Sequence, residues 1–114
     1  MYFAEMEYRA FPTSATLRKW NTILVETANF MASYAFYNTS TKVYDLGPPM
    51  YPVSENTNPN ATINPAFELA YWRYGLSIAT EWQIRQGQPV PKTWLDVENN
   101  LAPLPVQNLS LIHI

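Results

Sequence analysis

Two stretches of this chain hold residue types that can do chemistry together. Tyr51-Pro-Val-Ser-Glu55-Asn56 sets a carboxylate beside an amide in a proline-rich segment, and Asn64-Pro-Ala-Phe-Glu68-Leu-Ala-Tyr71-Trp72-Arg73 gathers an amide, a carboxylate, a guanidinium and three aromatic rings. Aromatic residues make up 15% of the chain, enough to supply stacking platforms as well as core. Sugars present C–H faces to rings and hydroxyls to carboxylates and amides, so the mixture suits a carbohydrate. Glycoside cleavage requires a carboxylic acid beside the leaving oxygen and a second group across the ring. Glu55 is the candidate general acid, because Pro52 and Pro59 stiffen its loop and apolar neighbours would raise its pKa. The plainer alternative is a solvated loop glutamate beside a turn asparagine. Asn56, Asn64, Glu68, Trp72 and Arg73 are the candidate substrate-binding residues. For Glu68 the alternative is a carboxylate that complements the positive end of its helix dipole. Phe67, Tyr71, Tyr74 and Trp82 read as core side chains.

Composition closes several routes. The 114 residues carry a net charge of -2, and the seven Lys and Arg are scattered, so there is no basic face for nucleic acid and no polybasic run for a membrane surface. No stretch reaches the ~18 apolar residues of a membrane span. Cysteine is absent, which removes thiolate nucleophiles and cysteine-bound zinc. The single histidine is His113, inside an odd apolar tail, so Ser-His-Asp and Cys-His mechanisms are closed to the body of the chain. No cofactor and no metal site is expected.

These candidates need elements to hold them. Met1 to Ala10 read as the end of a helix, with Phe3, Met6 and Ala10 at helical spacing, broken by Phe11-Pro12. Thr13 and Ser14 offer an N-cap for a long helix over about Ala15 to Tyr37. Leu17, Trp20, Leu24, Ala28, Met31 and Ala35 form its stripe, widened by Ile23, Thr27, Phe30 and Tyr34. Asn38 to Lys42 read as a turn and Val43 to Leu46 as a short extended piece. Gly47 to Asn64 form a long loop with four prolines, anchored through Met50, Tyr51 and Val53. Long loops inside a folded unit are often functional. Asn64-Pro65 predicts the start of a helix over Ala66 to Gln86, with Gly87 as its left-handed stop. A short helix from Pro91 to Leu101 would bury Trp94, Leu95 and Val97. The fold class expected is all-α, and stripes this wide cannot be buried by two or three helices alone, so the chain reads as part of something larger.

The end of the chain reads differently. Leu109-Ser110-Leu111-Ile112-His113-Ile114 back-translates as CTG-TCT-CTT-ATA-CAC-ATC, which looks like a transposase sequencing adapter. Residues 109–114 are therefore expected to be adapter-derived, and such scars stand outside fold reasoning. A genuine apolar tail docked in a groove is the alternative.

Five stretches carry a family resemblance: Tyr2 to Arg9, Glu26 to Ser33, Leu46-Gly-Pro-Pro49, Asn64 to Arg73 and Leu101-Ala-Pro-Leu-Pro105. Together they resemble the six-hairpin glycosidases, near glycoside hydrolase families 65 and 95. Ser54-Glu55-Asn56 is similar to the Ser-Pro-Glu-Asn motif of the second family, whose glutamate is the general acid, with the intervening proline absent. Gly47-Pro48-Pro49-Met50-Tyr51 resembles the Gly-Pro-Asp-Glu-Tyr run of the first, with Met50 in place of its acid. The resemblance implies that residues 1–108 are a fragment of an (α/α)6 toroid, about two helical hairpins with a proline-rich loop. It implies inverting hydrolysis, with a base roughly 6.5–9.5 Å from the acid and supplied from outside the chain. The implied partners are a carbohydrate substrate and the remainder of the catalytic domain. A non-catalytic helical carbohydrate-binding or interaction module is the alternative.

Overall fold

A computed structural model describes residues 1–50, 58, 60 and 62–104, together with the backbone of 106, 107, 110 and 111. In chain order the elements are α1 (Tyr2–Ala10), α2 (Ser14–Tyr34), β1 (Phe36–Asn38), β2 (Val43–Asp45), α3 (Ala66–Arg85), α4 (Lys92–Asn100), β3 (Val106–Gln107) and β4 (Ser110–Leu111). The chain is mostly helical, as the periodicity predicted. The small sheets are additions to that expectation. β1 and β2 pair antiparallel in register Phe36↔Asp45, Tyr37↔Tyr44 and Asn38↔Val43. The predicted helix over Ala15 to Tyr37 thus stops at Tyr34, and its last aromatic residues become a strand. Phe36 and Tyr37 are as content on a pleated surface as on a helix, and a partner strand decides between the two. In the tail, β4 pairs back onto β3, so the segment has a strand partner that the sequence did not reveal.

Helix ends obey local chemistry. The Thr13 side chain accepts from the Thr16 N–H at 3.2 Å and caps α2, as its position predicts. At the far end of α3, Gly87 has φ 68°, Gln88 N–H reaches Gln83 O at 2.9 Å and Gly87 N–H reaches Ile84 O at 3.0 Å, the paired bonds of a Schellman stop. Pro65 is the N-cap of α3, one residue later than Asn64, whose side chain is engaged elsewhere.

Helix α2 is the hub, packing on α1, α3 and α4, and α3 packs on α4. Three indoles are pinned to it. Trp72 Nε1 donates to Met31 O at 2.9 Å, Trp82 Nε1 to Leu17 O at 3.0 Å, and Trp94 Nε1 to Asn29 Oδ1 at 2.9 Å. Each ring is thereby sunk in apolar surroundings without stranding its N–H. Because 72 meets 31 while 82 meets 17, α2 and α3 run antiparallel. The narrow stripe Leu17, Leu24, Ala28 and Met31 is core, while Ile23 and Phe30, which widen it, remain more than half exposed.

Two face assignments are corrected. On α3 the buried side is Leu69, Leu76, Ile78, Ala79, Trp82 and Gln83; Phe67, Tyr71 and Tyr74 are exposed, with the two tyrosines stacked. Large apolar residues occupy more than one side of this helix, with the polar ones spread between them, so periodicity alone could not choose the face. On α1 the buried residues are Ala4 and Glu5, and Phe3 is 76% exposed. The reason is an ion pair. Arg85 Nη1 and Nη2 reach the two Glu5 carboxylate oxygens at 2.7 and 3.0 Å, and Arg9 Nε adds a third contact at 3.0 Å. The Arg85 guanidinium also lies 4.2 Å from the centre of the Tyr8 ring. These bonds turn α1 so that Glu5 faces inward and hold the Glu5 carboxyl below the usual carboxylate range.

Candidate functional site

The long loop is clamped at its neck. Gly47 has φ 88°, and a Cβ there would stand 2.7 Å from the Thr62 carbonyl oxygen, so glycine is required by conformation and by closeness. Met50 and Thr62, on either side of the loop, are both buried. The Tyr34 hydroxyl donates to Pro49 O and approaches Met50 Sδ at 3.3 Å. Asn64 completes the clamp: its N–H donates to Leu46 O at 2.8 Å, while its Oδ1 accepts from Leu46 N at 2.7 Å. Met50 anchors the loop as predicted; Tyr51 and Val53 lie outside the described residues, as do Glu55 and Asn56.

Two cavities flank this neck. One, of about 280 Å³, is lined by Tyr34, Phe36 and Gly47–Pro49 on the entering side. The other, of about 570 Å³, is lined by Thr41, Val43, Asp45, Ile63, Asn64, Ala102 and Pro103 on the leaving side. The second is walled by β2 and by the segment after α4, which is tied alongside it through Ala102 N to Tyr44 O at 2.9 Å. Both volumes are of the order of small-molecule sites, roughly 300–1,000 Å³.

The structure sends the predicted binding residues to different neighbours. Asn64 reaches the larger cavity, where its Nδ2 donates to Asp45 Oδ1 at 2.9 Å. Trp72 packs toward α2, its ring 5.8 Å from that of Tyr34. Arg73 turns to the end of α4, placing Nη2 3.4 and 3.3 Å from the Leu101 and Ala102 carbonyl oxygens, where a cation complements the negative end of the helix dipole. Glu68 sits in the first turn of α3 without a hydrogen-bond or ion-pair partner among the described residues, and partial burial pushes its carboxyl up. Asp45 is the residue that sequence reasoning missed. It is 7% exposed and accepts from Asn38 Nδ2 at 3.3 Å as well as from Asn64. An aspartate in a short extended piece carries no signal of such a place; only the pairing of β1 with β2 brings Asn38 to it.

A second carboxyl is out of the ordinary. Among the described residues, one buried oxygen of Glu98 on α4 and the nearby Thr80 hydroxyl on α3 lack a hydrogen bond of good geometry. Burial pushes the Glu98 carboxyl up, against the opposing pull of Thr80 and of the Arg73 charge. A carboxyl raised in the folded state stabilises the fold less as pH climbs through its folded pKa. A Glu98→Gln chain is therefore expected to melt at higher temperature than wild type at pH 7, with the gap closing below about pH 4.5, where the carboxyl is protonated in both states. Thermal melts across pH check this; a lower melting temperature at pH 7 contradicts it.

Among the described residues no group of three or more His, Asp or Glu could hold a metal ion, and no helix is long and apolar enough to cross a membrane. No family model, no curated protein and no solved structure matches the chain.

Proposed function

We propose that this chain is part of a carbohydrate-active catalytic domain of the six-hairpin type, with Glu55 as the general acid. The observation that carries the reading is the clamped neck: Met50 and Thr62, on either side of the segment that includes Glu55, are both buried, and two ligand-sized cavities border the clamp residues around them. A general acid must be held against its leaving group, and a loop anchored at both ends beside a cavity is a way to do so. The exposed apolar stripes support the toroid. Ile23 and Phe30 on α2 and Phe67, Tyr71 and Tyr74 on α3 are exposed, and in this reading neighbouring hairpins would cover them.

In this reading Glu55 protonates the glycosidic oxygen, and a base from another part of the domain activates water on the opposite face of the sugar. The 114-residue chain by itself is then expected to hydrolyse no aryl glycoside. Release of nitrophenol from a panel of nitrophenyl glycosides checks this; turnover by the chain alone, abolished in Glu55→Gln, would overturn the placement of the base. The second reading, a non-catalytic sugar-binding module, is favoured by one observation. The carboxylate that borders the larger cavity, Asp45, is tied to two amides, an arrangement suited to holding hydroxyls and not to moving protons.

A further inference from the structure

We infer that the groove between β2, Ile63–Asn64 and Ala102–Pro103 is a binding subsite for a neutral sugar, in which Asp45 and Asn64 together hold a pair of adjacent ring hydroxyls. The inference rests on the carbohydrate reading above and names where that ligand is gripped.

Hydrogen-bond capacity carries the assignment. An ionised carboxylate can accept about four hydrogen bonds. Asp45 receives one at each oxygen, from Asn64 and from Asn38, and borders the groove. No Lys or Arg forms an ion pair with it among the described residues. Donors for its remaining lone pairs must come from the groove. Asn64 is fixed by Leu46 N at its oxygen and by Asp45 at one amide hydrogen, which leaves the second hydrogen of Nδ2 without a partner among the described residues. The groove therefore offers an acceptor and a donor side by side. A sugar hydroxyl both donates and accepts, so two neighbouring hydroxyls satisfy Asp45 and Asn64 at once. An ammonium group only donates, and it would leave the Asn64 N–H pointing at a cation.

The walls fit the same ligand. Val43, Ile63 and Pro103 present apolar surface for the C–H side of a pyranose, and Ile63 is 42% exposed with no role in the hydrogen-bond network. The polar pair is held in place before any ligand arrives: Asn64 sits at φ 51°, locked by two bonds to Leu46. Such prior fixing lowers the ordering cost of binding.

The test is a titration of the isotope-labelled 114-residue chain, monitored by amide NMR, with D-glucose, D-galactose, D-mannose and L-fucose, and with methylammonium as a cationic control. Saturable shifts with at least one sugar are expected at Thr41, Val43, Asp45, Ile63 and Asn64, including the Asn64 side-chain amide. Ile63→Arg, which fills the groove and offers its guanidinium to the open Asp45 acceptors, is expected to weaken binding by about tenfold or more. Asp45→Asn should abolish the shifts, and retention of its melting temperature separates loss of the acceptor from loss of the fold. No sugar-dependent shift in the groove, shifts with methylammonium alone, or sugar shifts unaltered by Ile63→Arg would each overturn the subsite. Hydrolysis by the complete domain without groove shifts removes the subsite and keeps the catalytic reading. Groove shifts without hydrolysis do the reverse.

Discussion

An Arg85→Met chain is expected to lose about 3 kcal/mol of folding stability, the lower end of the cost of removing one partner from a buried ion pair. Glu5 is the reason. Its side chain is 3% exposed, and Arg85 satisfies both of its oxygens across 80 positions of sequence, tying the start of α1 to the end of α3. Without Arg85 the buried carboxylate keeps only Arg9, whose own side chain is 67% exposed and weakly held, and the packing of the guanidinium over Tyr8 is lost as well. A domain of this kind has roughly 5–15 kcal/mol in total, so the loss is a large share. Arg85→Lys should rescue little, because an ammonium cannot grip both oxygens in a planar fork. The double variant Glu5→Met with Arg85→Met should be milder than Arg85→Met alone, since it removes the stranded charge along with its partner. The pH dependence has a definite sign. The folded Glu5 carboxyl lies below its usual value, so its contribution is present above about pH 4.5 and is lost as pH falls through the folded value. The gap between wild type and Arg85→Met should narrow in acid. Urea unfolding monitored by tryptophan fluorescence reads all of these; a loss below about 0.5 kcal/mol at pH 7 would place the pair among surface salt bridges that stabilise nothing.

The second large effect is on rate. In a complete catalytic domain, Glu55→Gln is expected to cut hydrolysis by about 10²–10⁴-fold, the usual contribution of a positioned general acid. The loss should depend on the leaving group. A sugar or methanol leaving group needs its oxygen protonated as the bond breaks, while dinitrophenolate departs almost unaided, so the variant should be crippled on the first and far less affected on the second. The acidic limb of activity on natural linkages should remain, and the limb assigned to Glu55 should vanish from the pH profile. An equal loss on both classes of substrate would make Glu55 a binding or structural residue.

How much of this could be read from the chain depended on range. Local signals were legible: Thr13 as a cap, the turn after Asn38, the extended Val43–Asp45, the α3 stop at Gly87 and the short α4 with Trp94 and Val97 inside all arise from residues within a few positions of one another. Faces were legible only where the pattern was lopsided. On α3 large apolar residues fall on more than one side of the helix, so the choice between the Phe67–Tyr71–Tyr74 side and the Leu69–Leu76–Ala79 side was made by α2 and α4, which no spacing in the sequence encodes. Long-range polar pairs were illegible. Glu5 with Arg85, and Asp45 with Asn38 and Asn64, are joined by the fold, and nothing in the sequence around any of them names its partner. Asn64 shows both sides of this: the sequence marked it as a helix start and binding residue, and the structure uses its side chain as the clamp of a loop and the rim of a groove.

The proposed role of Glu55 as the acid of a glycosidase to which residues 1–108 contribute is best checked by recovering the reading frame from its source with a library made without transposase adapters, expressing the whole product, and measuring initial rates on a glycoside panel for wild type and Glu55→Gln. Turnover of at least one glycoside by the whole product is expected, about 10²–10⁴-fold slower in Glu55→Gln on substrates with poor leaving groups. Absence of turnover on every glycoside, or turnover indifferent to Glu55, would contradict it.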